Sequence, residues 1–265
     1  MYDFSRCKLC AANGASPKYK LKKMSIYACP ECDFHYIDHL DEMPSSHPGH
    51  TAQPLDQKGW DYIERHLPGN GQQLGKNLAL VKRHLPLDGA NCLDIGSGAG
   101  LFPHLLAEAG ACVQGIEPQG AFREFAQKKF GIELSGETID ASHWQSGFNG
   151  FFDAVTLWDV LEHVNFPAET LKNAYNVIKH GGWLFLDTPR RDALYYRLCE
   201  FSYRLRAGKS SLFEAIYSPM PFRHKQIFTL RQLVQLAESI GFSVIQVHTR
   251  PLQPQNKMVL VCRKP

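Results

Sequence analysis

The sequence predicts an α/β fold: a doubly wound, mostly parallel seven-stranded sheet preceded by a small cysteine-rich module. Three observations carry that reading. Apolar strand patterns alternate with amphipathic helix patterns from residue 72 onward, as a parallel sheet with helices on both faces requires. The run Cys92-Leu93-Asp94-Ile95-Gly96-Ser97-Gly98-Ala99-Gly100-Leu101-Phe102 passes from a strand through a glycine-rich turn into a helix. Two Cys-x2-Cys pairs, Cys7/Cys10 and Cys29/Cys32, stand eighteen residues apart near the N-terminus.

The chain's 265 residues, 44% of them hydrophobic, suffice for one full core and a small appendage. A formal net charge of +3 does not require a polyanionic partner. No apolar run approaches the roughly 18 residues of a membrane-spanning helix, and Met1 to Arg6 lack the apolar region of a secretory signal. The expectation is a cytoplasmic protein without a membrane partner, and no pattern sets its oligomeric state.

Residues 1–42 read as a module closed by Cys7, Cys10, Cys29 and Cys32. Knuckles at this spacing bring four thiolates to one zinc ion and leave no open position, so the metal is expected to be structural. A segment this short needs such a staple. Cys92, Cys112, Cys199 and Cys262 are scattered in apolar contexts and read as small hydrophobes. Lys18, Lys20, Lys22 and Lys23 make the module basic, more as a solvated face than as a substrate contact. Residues 43–71, which open with Pro, Ser, His and Gly and no periodicity, are expected to form a linker or flap.

The main domain is expected over 72–265. Leu74, Leu78, Val81 and Leu85 mark a first helix at helical spacing. After the strand ending at Ile95, the turn of Gly96, Gly98 and Gly100 gathers free backbone N–H groups at a helix N-terminus, a ready site for a polar ligand. A dinucleotide fingerprint would place its third glycine one residue later, and Asp94 would repel a pyrophosphate. The acid suits a ligand carrying an ammonium and a sulfonium. A helix over 101–109 and a strand over 111–116 follow, and Glu117 stands at that strand's tip, where nucleoside-binding α/β folds hold a ribose diol. A helix to Phe130 and a third strand at 132–134 lead to the turn of Thr138, Ile139 and Asp140, the position at which an adenine would be sandwiched.

The run from Phe151 to Trp158 is nearly continuous in apolar residues, as in a strand buried on both faces, so Asp159, Glu162 and His163 fall just past its carboxyl end. Ligands of open α/β sheets bind along that edge, and a carboxylate beside a histidine raises its basicity and fixes its tautomer. A helix from Pro167 and a strand over 183–189 precede residues 190–228, where Lys and Arg outnumber Asp and Glu and interleave with aromatics. That stretch reads as an insertion, either a clamp for an anionic substrate or an amphipathic cap with core aromatics and solvated arginines. Thr229 and Gln232 form a capping box for the last helix, and 242–248 and 257–262 read as a terminal antiparallel pair.

Together these stretches resemble the class I S-adenosylmethionine (SAM) dependent methyltransferases over about residues 72–263. The resemblance rests on Leu93 to Gly100, Glu117, Trp158-Asp159-Val160-Leu161-Glu162-His163-Val164, Ile178 to Gly182, and His224 four residues before Phe228. It implies a Rossmann-like methyltransferase fold with SAM as cofactor. Asp94, Gly96, Ser97 and Gly98 would hold the methionine end and Glu117 the ribose, with Ile139, Asp140, Trp158 and Asp159 completing the cofactor site. The N-terminal module is similar to the zinc-binding segment of sugar C-methyltransferases, which casts His163 as general base and Glu162 as its partner. His224 is the second candidate for the base. The expectation is O-, C- or N-methylation of a small acceptor, anionic or nucleotide-linked. A zinc-ribbon RNA methyltransferase is the alternative, with nucleic acid the less favoured acceptor, and a non-catalytic zinc-ribbon adaptor is the third reading.

Overall fold

Ten strands and seven α-helices build the fold in a computed structural model that describes residues 2–41, 55–206, 208, 211–249 and 257–265. In chain order they are β1 (Ser16–Lys20), β2 (Ser25–Ala28), β3 (His35–Ile37), α1 (Gln57–His84), β4 (Asn91–Ile95), α2 (Leu101–Glu108), β5 (Cys112–Ile116), α3 (Gly120–Phe130), α4 (Ser142–Gly147), β6 (Phe152–Trp158), α5 (Pro167–Val177), β7 (Ile178–Pro189), α6 (Leu194–Leu205), β8 (Gln226–Ile227), α7 (Leu230–Ile240), β9 (Ser243–Thr249) and β10 (Lys257–Arg263). The strands form one sheet of order β5-β4-β6-β7-β10-β9 and a second of order β1-β2-β3-β8. Among the described residues no helix is long and apolar enough to cross a membrane.

The chain divides into two compact units. One comprises Met43–Trp158, Asn173–Phe185 and Arg263–Pro265. Its centre is β4, paired in parallel with β5 on one side and β6 on the other, so that Asp94 sits level with Gly115 and Thr156. The third strand expected at 132–134 is reduced to an isolated parallel bridge between Ile116 and Ser135, which makes the large sheet six-stranded rather than seven-stranded. Two backbone bonds, Glu117 N–H to Ser135 O and Ser135 N–H to Gly115 O, both 2.9 Å, do the work of a strand there. Helix α1 begins at Gln57, so the expected linker holds at most to residue 56, and 42–54 lie outside the described residues. Asp56 caps the helix by accepting the Gly59 N–H at 2.7 Å, and the helix continues through Pro68. Packing outweighs the helix-breaking residues: Trp60 lies 4.4 Å from Phe125 between ring centroids, Glu64 pairs with Lys129 at 2.6 Å, and Ile63 is buried.

The other unit comprises Met1–Glu42, Asp159–Lys172 and Leu186–Cys262. Its sheet is completed from the far end of the chain, because β8 pairs antiparallel with β3 and sets His35 opposite Ile227. The N-terminal module and the 190–228 stretch therefore share one core of Tyr19, Met24, Ile26, Ile37, Tyr196, Cys199, Phe213, Tyr217 and Ile227. His35, fully buried, is bonded to the Tyr196 hydroxyl at 2.7 Å, and Arg191 donates to the Asp33 carboxylate and carbonyl at 2.8 and 2.7 Å. Much of the insertion is thus the hydrophobic complement of the module.

Candidate functional site

The two cysteine knuckles are built alike. In each, the residue after the second cysteine, Ala11 or Asp33, adopts a left-handed backbone (φ 59° and 51°) and its N–H bonds the carbonyl of the first, Cys7 or Cys29, at 3.0 and 2.9 Å. This turns all four sulfurs inward. Cys7 and Cys32 sulfurs are 3.7 Å apart, Cys10 and Cys29 3.6 Å, and all four lie within 4.8 Å of one another. Zinc–sulfur bonds of about 2.3 Å in a tetrahedron place sulfurs just under 4 Å apart, so the cluster fits zinc. The thiols alone cannot all ionise. Cys7, accepting a hydrogen bond from Cys32, is lowered to about 5, while that bond raises Cys32 and burial raises Cys10. A divalent cation removes the conflict.

In the parallel unit, Asp94 is the penultimate residue of β4 and Glu117 follows β5, both at the carboxyl edge of the sheet. Glu117, 4% exposed, accepts the N–H groups of Gly98 and Gln119, each at 2.8 Å. Each of its oxygens retains a lone pair for a ligand hydroxyl. Asp94 takes the Thr156 hydroxyl at 2.5 Å, and its burial, reinforced by the charge of Glu117, raises it to about 7. A carboxylate so desolvated gains from a nearby cation. Ser97 is buried and its hydroxyl bonds the Asp94 carbonyl at 2.9 Å. The glycines have separate duties. A Cβ on Gly98 would meet nothing within 4 Å, leaving space for a ligand, whereas on Gly100 it would stand 2.5 Å from the Ala126 Cβ, so that glycine serves the approach of α2 to α3. Gly96, at φ 74°, spends its N–H on the Ile116 carbonyl at 2.8 Å. Trp158 closes β6 edge-on to Phe102, its indole N–H buried and without a partner. Ile139 is buried and Asp140 exposed on the turn before α4. These residues fit SAM, a cation with a ribose diol.

In the other unit, Glu162, His163 and His224 converge: their ligating atoms lie within 4.8 Å of one another, and the two imidazole centroids are 4.7 Å apart. The loop carrying His224 is brought there by the backbone. Lys225 N–H donates to the Glu162 carbonyl at 2.7 Å, and the Gln226 amide donates to the carbonyls of Leu161 and Val164 at 2.7 and 2.6 Å. The expected Glu162–His163 hydrogen bond is not formed, since Glu162 Oε1 is 3.9 Å from Nε2. Glu162 is fully buried and accepts the Thr188 hydroxyl at 2.8 Å, and desolvation and the charge of Asp159 raise it well above the carboxylate range. It therefore does not raise the basicity of His163, which burial and then His224 lower to about 4. Burial also lowers His224. Asp159 adopts φ 59°, donates its N–H to Asp187 at 2.8 Å and pairs with Lys257, which overcomes desolvation to hold the carboxyl below its usual value. The cluster of two histidines and a carboxylate could also hold a divalent cation.

Sequence reading passed over Lys257, Asp187 and Thr188. The signal for Asp187 and Thr188 is the one that picked out Asp94, polar residues at the carboxyl end of an apolar strand, and for Lys257 it is a lone cation opening an apolar run.

A family model described as "Methyltransferase domain" matches residues 65–247. The ubiquinone biosynthesis O-methyltransferase of Aeromonas salmonicida is 31% identical over 179 residues, 65% of this chain and 72% of that protein. The protein so named from Thiobacillus denitrificans is 33% identical over 124 residues, 46% of this chain and 53% of its own length. The chain thus spans about half the length of several curated relatives it matches. A magnesium protoporphyrin IX methyltransferase from Synechocystis PCC 6803, solved with bound SAH, superposes with a TM-score of 0.60 at 16% identity, over 80% of this chain and 96% of that one.

Proposed function

The chain belongs to the methyltransferase-domain family, and from that premise we infer that it transfers a methyl group from SAM to a hydroxyl of a small-molecule acceptor. The observation that carries this reading is the pair of buried carboxylates, Asp94 and Glu117, at the ends of neighbouring parallel strands beside the open space at Gly98. When bound, SAM supplies an electrophilic methyl group on a cationic sulfur. Glu117, already fixed by two backbone N–H groups, accepts from the ribose hydroxyls. Asp94 meets the positive end of the cofactor in a desolvated setting, where each charge interaction is worth more than in water. The indole N–H of Trp158 gives the site a buried donor. The four cysteines hold zinc as a structural ion.

The oxygen acceptor follows the curated relatives, which are named as O-methyltransferases. His163 is the proton acceptor in this reading, with His224 beside it. Burial keeps His163 neutral at pH 7, but a value of about 4 makes it a weak base. A weak base matches an acceptor that is itself acidic, such as a phenolic hydroxyl, better than an aliphatic alcohol. Calorimetric titration of the full chain with S-adenosylhomocysteine tests the core of this reading. Binding is expected, and Glu117→Ala should weaken it at least about tenfold, the loss of charge-assisted hydrogen bonds to a ribose. No binding to the wild-type chain, or equal binding by Glu117→Ala, refutes it.

A further inference from the structure

Helix α6 is apolar on two opposite sides, and the fold accounts for only one. Tyr196 and Cys199 point into the core shared with the N-terminal module. On the far side Leu194, Leu198, Phe201 and Leu205, spaced four, three and four residues apart, make one stripe that is 71%, 50%, 60% and 69% exposed. Of the twelve large apolar residues exposed among the described residues, five lie on α6 itself, four of them in this stripe.

The rim of the stripe is cationic. Arg197 and Arg204 border it along one side and Arg206 stands at its C-terminal end, all three exposed. The inward side of the helix is fastened to the β1–β2 hairpin: the Tyr203 hydroxyl accepts the Lys20 N–H at 3.0 Å and donates to its carbonyl at 3.1 Å. Glu200, the one carboxylate on α6, is turned toward the module and accepts the Tyr19 hydroxyl at 2.7 Å. The outward side of α6 therefore joins leucine and phenylalanine to arginine, with no acid among them.

We propose that this surface docks the protein on an anionic lipid bilayer. Helix α6 lies in the headgroup plane with its stripe at the acyl boundary, and Arg197, Arg204 and Arg206 face lipid phosphates. Charge selects this occupant over a second copy of the chain. Two stripes packed antiparallel would set Arg197 of each against Arg204 of the other, with no outward carboxylate to pair either. The contact is interfacial, and neither the methyl-transfer reading nor its failure bears on it.

Flotation of the full chain with vesicles tests it, using phosphatidylcholine alone and phosphatidylcholine with about one third phosphatidylglycerol. The chain should float with the anionic vesicles, remain behind with the neutral ones, and be released by about 0.5 M NaCl. Leu198→Ser/Phe201→Ser and, separately, Arg197→Glu/Arg204→Glu should each lower the bound fraction at least about tenfold while S-adenosylhomocysteine affinity and circular dichroism stay unchanged. Failure to bind anionic vesicles, equal binding to neutral ones, or full binding by either double variant overturns the proposal. So does a concentration-dependent dimer in sedimentation velocity that Leu198→Ser/Phe201→Ser abolishes, since the stripe would then be a subunit interface.

Discussion

Asp159 and Glu162 are three residues apart and their carboxyls are shifted in opposite directions, one downward by the ammonium of Lys257, the other upward by burial and the charge of its neighbour. His163 sits beside them as a neutral imidazole. If it accepts the acceptor's proton, His163→Ala should lower turnover by about 10² or more at unchanged S-adenosylhomocysteine affinity. The same histidine has a stability signature. Its native value is about 4 and its ordinary value 6.5, so between those limits the unfolded chain binds the extra proton and stability falls as pH falls. His35, also lowered to about 4 by burial, acts in the same direction, whereas Asp94, raised to about 7, opposes both. Urea midpoints of His163→Gln should therefore drop less than those of the wild-type chain between pH 7 and pH 5.

At the scale of the element, the glycine turn separates cofactor space from packing. Gly100→Ala drives a Cβ against Ala126 at φ 78° and should cost about 2 kcal/mol of stability by urea unfolding. Gly98→Ala, with open space around it at φ 50°, should cost only about 1 kcal/mol of backbone strain and act mainly on cofactor affinity. The sequence showed the turn but merged these duties, because Gly100 meets Ala126 only once α3 has folded back. What was legible was local: the two knuckles, the carboxylates at strand ends, the capping box of Thr229 and Gln232, whose two bonds measure 3.2 and 2.8 Å. What was not legible depends on distant partners. Residues 57–71 look like a breaker-rich linker until Trp60 and Glu64 find Phe125 and Lys129. His35 and Ile227 carry no mark that they will pair, and Lys257 none that its partner is Asp159.

Across the whole molecule, the four-cysteine module and the 190–228 stretch stand or fall together, since they share a sheet and a core. If the four cysteines hold zinc as proposed, stripping it with a chelator should therefore raise hydrogen exchange not only over 7–37 but also at Tyr196, Phe213 and Tyr217, which lie far along the chain. Protection lost in the module alone would show that the shared core survives without the ion. The pairing of β3 with β8 has a further meaning for how the protein is made. The module leaves the ribosome well before the strand that completes it, since the outer edge of β3 waits for residues 226 and 227, almost two hundred positions later. Until then the nascent chain carries a cysteine module with one strand edge unpaired, so a part made early is finished late.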